Sequence, residues 1–207
     1  MNRDADYMIG AVHDVPSHYT NLQQCMSSAW SLLSRGTKDR KAPAHTPVLV
    51  STGLDGAPQA RTVVLRGCSP VDRMLSIHTD RRSAKVEELK ADPRALLHVY
   101  DPHQKVQVRL GCQARLHFAD REAIAAWSRT RAQSRYCYQI NVAPGSLVED
   151  PAMIVFDPSA NAKGVNNFLL VQLRVLHMEW LYLNSRGHRR ARFDWTDENL
   201  QACWLAP

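Results

Sequence analysis

Apolar residues recur at steps of three and four over residues 21–33, where Leu22, Cys25, Met26, Trp30 and Leu33 share one face of a helix. Gly36 ends that run. A polar linker, TKDRKAPAHT, follows, and the period then changes from helical to alternating. PVLVST runs into GLDGAP and returns as QARTVVLRG, so an Asp-Gly loop joins two β-branched segments as a hairpin. RMLSIHT is a further strand. Val86 and Leu89 then mark a helix over about residues 82–91, stopped at Asp92-Pro93 because proline lacks the next helical donor. ALLHVYD and KVQVRLGCQARLHF pair across the turn DPHQ, and DREAIAAW begins a helix with Asp120 as its cap.

Residues 134–165 are rich in Pro, Gly and Asn and read as loop. The chain ends in strands again: LLVQLRVLHMEWLYL, the turn NSRG, HRRARFDW, the turn TDEN, and LQACWLAP. Hairpin-linked strands with isolated helices point to a closed or nearly closed antiparallel barrel, mainly β with flanking helices. Neither a Gly-x-Gly-x-x-Gly nor a Walker motif is present, as expected outside parallel-sheet architectures. The expected organisation is a single domain, with residues 1–46 as a helical extension and 47–207 as the barrel.

The 207 residues suffice for one core, and 44% apolar with 22% charged residues exclude fibrous and disordered classes. No apolar run spans a bilayer and residues 1–18 lack a signal core, so the expected address is the cytoplasm, away from membranes. Five scattered cysteines without Cys-x-x-Cys spacing read as reduced and mostly buried. The nine histidines form no metal-binding spacing, so no metal site is expected. The net charge of +6 favours an anionic partner, either nucleic acid or a phosphorylated small molecule. Nucleic acid is the weaker of the two. The basic strand over residues 105–118 carries only His117 and Phe118 as stacking rings, where such barrels interleave several.

Two places concentrate polar chemistry. In RTVVLRG, alternation sends Arg61, Val63 and Leu65 to one face and Thr62, Val64 and Arg66 to the other, so each face needs a partner or solvent for an arginine. In HTDRRSAK a strand hands over to a helix. A helix entry leaves N–H groups unpaired and partly positive, a ready seat for phosphate, with Thr79 and Ser83 adding hydroxyls and Lys85 a charge. Simple capping by Asp80 or Ser83 would explain one polar residue but not the density of the cluster. No Ser/His/Asp or Cys/His arrangement offers itself as a catalytic centre.

ARTVVLRG, SIHTDRRSAKVEELKADPRALLHVY and VQVRLGCQARL, in this order, resemble the flavin mononucleotide (FMN)-binding split barrels of the pyridoxamine 5'-phosphate oxidase type. The likeness spans residues 47–118 and returns at LNSRGHRRARFDW and WLAP. It implies an antiparallel split β-barrel and a homodimer with FMN at its interface. It also implies hydride transfer between FMN and a small amine or alcohol, phosphorylated or not. By the same resemblance Arg61 and Lys85 hold the phosphate, Thr79 and Ser83 donate hydroxyls, and Thr62, Val63, Val64 and Leu65 line the ring by backbone. His78, Gln107 and Arg192 complete the cofactor set, and Arg66, Arg129 and Ser134 hold substrate.

Departures accompany the match. His78 and Ala125 stand where the family has Tyr, Ala84 where it has a second basic residue, and Leu181 at its flavin-stacking Trp. The family's pyridoxal-reading His is missing near Ala191. Cofactor positions are better kept than substrate positions, which leaves a non-catalytic FMN-binding or sensing protein as the alternative.

Overall fold

A computed structural model describes residues 15–156, 161–185, 187–196 and 199–207. Helix α1 (Leu22–Gly36) opens at Asn21, whose side chain accepts from the Gln24 N–H at 3.0 Å. The strands follow as β1 (Val48–Thr52), β2 (Pro58–Thr62), β3 (Leu65–Ser69) and β4 (Met74–Asp80). Helix α2 (Ala84–Ala91) leads into the hairpin β5 (Arg94–Asp101) and β6 (Val106–His117). Helices α3 (Arg121–Arg129), α4 (Ala132–Arg135) and α5 (Asn161–Asn167) precede β7 (Phe168–Tyr182), β8 (Arg189–Thr196) and β9 (Asn199–Leu205).

All strand pairs are antiparallel, in the order β2-β1-β5-β6-β7-β4-β3, with β8 paired to β7 and β9 to β8. The two ends of that path, β2 and β3, are consecutive in the chain. Thr62 and Leu65 are three Cα steps apart, at most about 11 Å, so the sheet must curl until its ends nearly meet. No ladder joins β2 to β3. The barrel is therefore split, held at the seam by chain and not by hydrogen bonds.

This corrects the reading of QARTVVLRG as one strand. Val63 and Val64 belong to neither ladder; Val63 donates its N–H to the Pro47 carbonyl at 2.9 Å, while β2 pairs with β1 and β3 with β4. Helix α2 starts two residues later than its pattern suggests, because Asp80 ties back Arg82, accepting from its N–H at 2.8 Å and from its guanidinium. The segment read as loop holds α5, two short 3-10 turns (Tyr136–Tyr138 and Pro151–Met153) and an isolated bridge between Ile140 and Phe156. Residues 1–14, 157–160 and 197–198, with Arg186 of the NSRG turn, lie outside the described residues.

Cys25, Ala29 and Leu33 of α1 pack in the same buried cluster as Leu49, Leu97, Leu110 and Trp180 of the barrel. Cys25 and Cys112 are buried, Cys68 is half-buried, and Cys137 and Cys203 are exposed, so burial covers fewer thiols than their spacing suggested. Burial pushes the Cys25 thiol up to about 11 and the Cys112 thiol up to about 12, which keeps both protonated at neutral pH.

The end of α1 is locked to the linker that follows. A Cβ on Gly36 would lie 2.5 Å from the backbone of Ala44, and His45 donates through Nδ1 to the Gly36 carbonyl at 2.7 Å. Gly36→Ala must push the linker away, and overpacking against backbone costs about 1–3 kcal/mol. Urea unfolding of the variant is expected to show that loss as a lower midpoint with an unchanged slope.

Candidate functional site

Two polar assemblies occupy opposite faces of β4, whose side chains alternate: Leu75, Ile77 and Thr79 turn inward, Ser76 and His78 outward.

The first lies where β4 meets α2. Ser83 occupies the N-cap position but makes no capping bond. Its hydroxyl donates to the Asp80 carbonyl at 2.7 Å and lies 3.2 Å from the Thr79 hydroxyl. Asp80 is engaged by Arg82 at 2.8 Å. Neither residue therefore caps the helix through its side chain, and the capping explanation of the turn fails. Lys85 donates to the Thr79 hydroxyl at 3.2 Å, so Thr79, Ser83 and Lys85 form one connected group.

Arg61 approaches from β2. Its guanidinium pairs with Glu88 of α2 at 2.7 Å and also donates to the Ser51 hydroxyl, which in turn donates to Glu88 at 2.6 Å. Glu88 is only 6% exposed. Burial lowers the Lys85 pKa, and the charge of Arg61 lowers it further against the opposing pull of Glu88 and Asp80. Two cations thus stand close together with one carboxylate committed between them. Sequence spacing did not single out Glu88 from its neighbour Glu87, or Ser51 from the rest of its strand.

The second assembly is a cavity of about 690 Å³ on the outer face of β3, β4 and β7. Arg66, His78, Arg129 and Ser134 all line it, so three expected substrate residues and one expected cofactor residue share a single space. Arg66 gets there through a β-bulge: Leu65 pairs with Ile77 and Gly67 with Ser76, leaving Arg66 as the extra residue. Gly67 allows the close pairing, since a Cβ there would lie 2.4 Å from the Ser76 hydroxyl oxygen.

Lys38, Arg40 and His45 from the linker, and Arg131 from the α3–α4 junction, also border the cavity, although their sequence positions gave no sign of it. Among the described residues no Asp or Glu lines the cavity. A smaller space of about 270 Å³ adjoins it, sharing Arg40, His45, Arg66 and Ser134.

Other expected residues stand elsewhere. Gln107 Oε1 accepts a hydrogen bond from His98 Nε2 at 3.2 Å, and Arg192 is held by Asp194 at 2.7 and 2.9 Å. The strand register from Gln107 to Gly111 is unbroken, and the bulge beyond it places its extra residue on β7. Thr62 is exposed, Val64 is half-buried, and Val63 and Leu65 face the core. Trp180 is fully buried core, beside the half-buried Leu181. His117, Asp120 and Glu122 cluster within 4.8 Å, but both imidazole nitrogens are engaged, by Asp120 at 2.8 Å and Gln172 at 3.1 Å, and Asp120 caps α3. Local bonding accounts for that group. Among the described residues no helix is long and apolar enough to cross a membrane.

An antiparallel sheet curled into a barrel and left open at one seam defines the class: a split β-barrel. The chain is similar to the pyridoxamine 5'-phosphate oxidase family. Residues 27–118, which include Arg61, Thr79 and Lys85, match the family model described as pyridoxamine 5'-phosphate oxidase, FMN-binding domain. Pyridoxine/pyridoxamine 5'-phosphate oxidase 2 of Arabidopsis thaliana is 28% identical over 169 residues, 76% of this chain and 83% of that one.

Among solved structures, a pyridoxamine 5'-phosphate oxidase-related FMN-binding protein of Nostoc punctiforme superposes with a TM-score of 0.74 at 23% identity, over 87% of this chain and 96% of its own. PhzG of Burkholderia lata, solved with tetrahydrophenazine-1-carboxylic acid, gives 0.68 at 18% identity, over 96% of this chain and all (100%) of its own. At these identities the two structures speak for the fold.

The lowered Lys85 pKa has a sign that can be checked. Because the folded lysine holds its proton less tightly than the unfolded one, its charge costs stability at neutral pH. That cost is whole below the folded pKa and fades as pH rises through it toward the unfolded value. Lys85→Met in FMN-free protein is therefore expected to unfold at the same or a higher temperature than the parent at neutral pH, with the difference closing in alkaline buffer.

Proposed function

We propose that this protein is an FMN-dependent oxidoreductase acting on a small amine or alcohol that carries an anionic group, with a phosphorylated substrate favoured. The observation that carries the reading is the joint presence of Arg61 and Lys85 beside an α2 entry whose side-chain cap is missing, with the Thr79 and Ser83 hydroxyls bonded into the Lys85 group. Unpaired helix-entry N–H groups and two cations suit a dianionic phosphate ester, which would relieve the repulsion between Lys85 and Arg61. Val64 and the carbonyl of Val63, outside both ladders, offer backbone to a flat ring.

FMN, when bound, supplies the hydride-accepting ring. The protein's part is placement and charge. Arg66, Arg129 and Ser134 would grip the anionic end of the substrate, since a guanidinium fork binds phosphate oxygens in pairs. No side chain is assigned as an acid or base. Gln107 and Arg192 bond to His98 and Asp194 and to no member of the phosphate seat, and we place them at the ring across a homodimer interface. The non-catalytic alternative draws on Ala125 and on the fully buried Ala191, which provide no polar group where the family reads its substrate.

An absorbance spectrum of purified protein supplied with FMN is expected to show flavin bands, and FMN is expected to bind far more tightly than riboflavin, which has no phosphate for Arg61 and Lys85. Equal binding of the two would remove the seat. Anaerobic mixing with candidate phosphorylated amines and alcohols should bleach the flavin; a spectrum that stays oxidised with all of them favours the binder. Arg129→Ala is expected to raise the KM for a phosphorylated substrate about 10- to 100-fold, the value of one charge-assisted contact, with FMN binding unchanged.

A further inference from the structure

We propose that His78 couples anion binding in the outer cavity to proton uptake: an anion held between Arg66 and Arg129 draws one proton from solvent onto the His78 imidazole. The inference rests on reading that cavity as an anion site, and it adds a preference for doubly charged over singly charged ligands as the medium becomes more acidic.

His78 lies on the cavity face of β4, its ring edge-on to Phe168 with centroids 4.8 Å apart. Its Nδ1 is buried and has no hydrogen-bond partner. The charges that act on it are Arg66 from the β3 bulge and Arg129 from the end of α3, both cations, while Asp80, two residues further along β4, is committed to Arg82. On the other side β7 presents Leu170 and Gln172, neither of them charged. Across the cavity the linker adds Lys38, Arg40 and His45, and the α3–α4 junction adds Arg131.

An imidazolium in this setting is repelled by both arginines, and its buried nitrogen finds no acceptor in the protein. Burial first, then Arg66 and Arg129, accordingly hold the His78 pKa down to about 4. A dianion between the arginines cancels their repulsion of the ring, and one seated against the imidazole also offers its proton an acceptor. The imidazole then gains a proton, and no bond within the anion changes. By linkage, a ligand that raises a group's pKa binds more tightly as pH falls, by at most about tenfold per pH unit for one proton.

Inorganic sulfate is the probe, because its charge stays fixed across the working range, and FMN-saturated full-length protein is used so that the phosphate seat is filled. Sulfate affinity, measured by NMR between about pH 7.5 and pH 5.5, is expected to rise at least about threefold in the parent, to stay flat in His78→Gln, and to keep its rise in His45→Gln. The His78 ring resonance of the parent protein should titrate about two pH units higher with sulfate than without it, the shift that a threefold rise by pH 5.5 requires, a readout that needs no variant to fold.

If sulfate binds, and Arg129→Ala weakens it, but the His78 midpoint does not move, the coupling is wrong while the anion site stands. A rise abolished by His45→Gln moves the proton to the linker and overturns the role of His78. Failure of sulfate to bind in the cavity at any pH overturns both the anion site and the coupling.

Discussion

One buried carboxylate sets the geometry of the inner site. Glu88 reaches from α2 to Arg61 on β2 and to Ser51 on β1, joining a helix to two strands through one hydrogen-bonded group. A buried carboxylate is tolerable only when paired, and here the pairing also fixes where the guanidinium stands. Arg61 is consequently not a swinging surface arginine. It is held beside Lys85, and the arrangement carries an excess of positive charge at the one place where α2 leaves its first N–H groups without a side-chain cap.

The sheet then distributes chemistry by parity. Successive residues of β4 face opposite ways, so Thr79 serves the inner group while His78 serves the outer cavity. The odd spacing of Arg61 and Arg66 already sends them to different spaces, and the bulge on β3 leaves Arg66 unpaired at the rim of the outer one. Strand geometry thus makes two cationic regions from a short stretch of chain.

Much of this was legible because it follows from period. Alternation and turn residues located the hairpins, and the polar run at residues 78–85 marked the strand-to-helix turn. What period does not carry is contact between distant segments. Glu88 looks like any helix glutamate until the fold brings Ser51 and Arg61 to it. Lys38, Arg40 and His45 read as a solvated linker, and they reach the cavity only because Gly36 lets Ala44 close onto the end of α1. The break at Val63 and Val64 was hidden for a different reason: both are strong strand formers, and the need to cross from one edge of the curled sheet to the other overrides their preference.

That crossing has a mechanical consequence. A barrel closed all round by ladders resists opening at every point alike, but here the two free edges are tied by a strap two residues long. They can hinge apart at the end away from the strap without breaking a single inter-strand bond between them. The seam is thus the compliant line of an otherwise rigid shell, and compliance is greatest farthest from Val63 and Val64, so the backbone at the strap is the part of the seam that stays in place while the rest breathes.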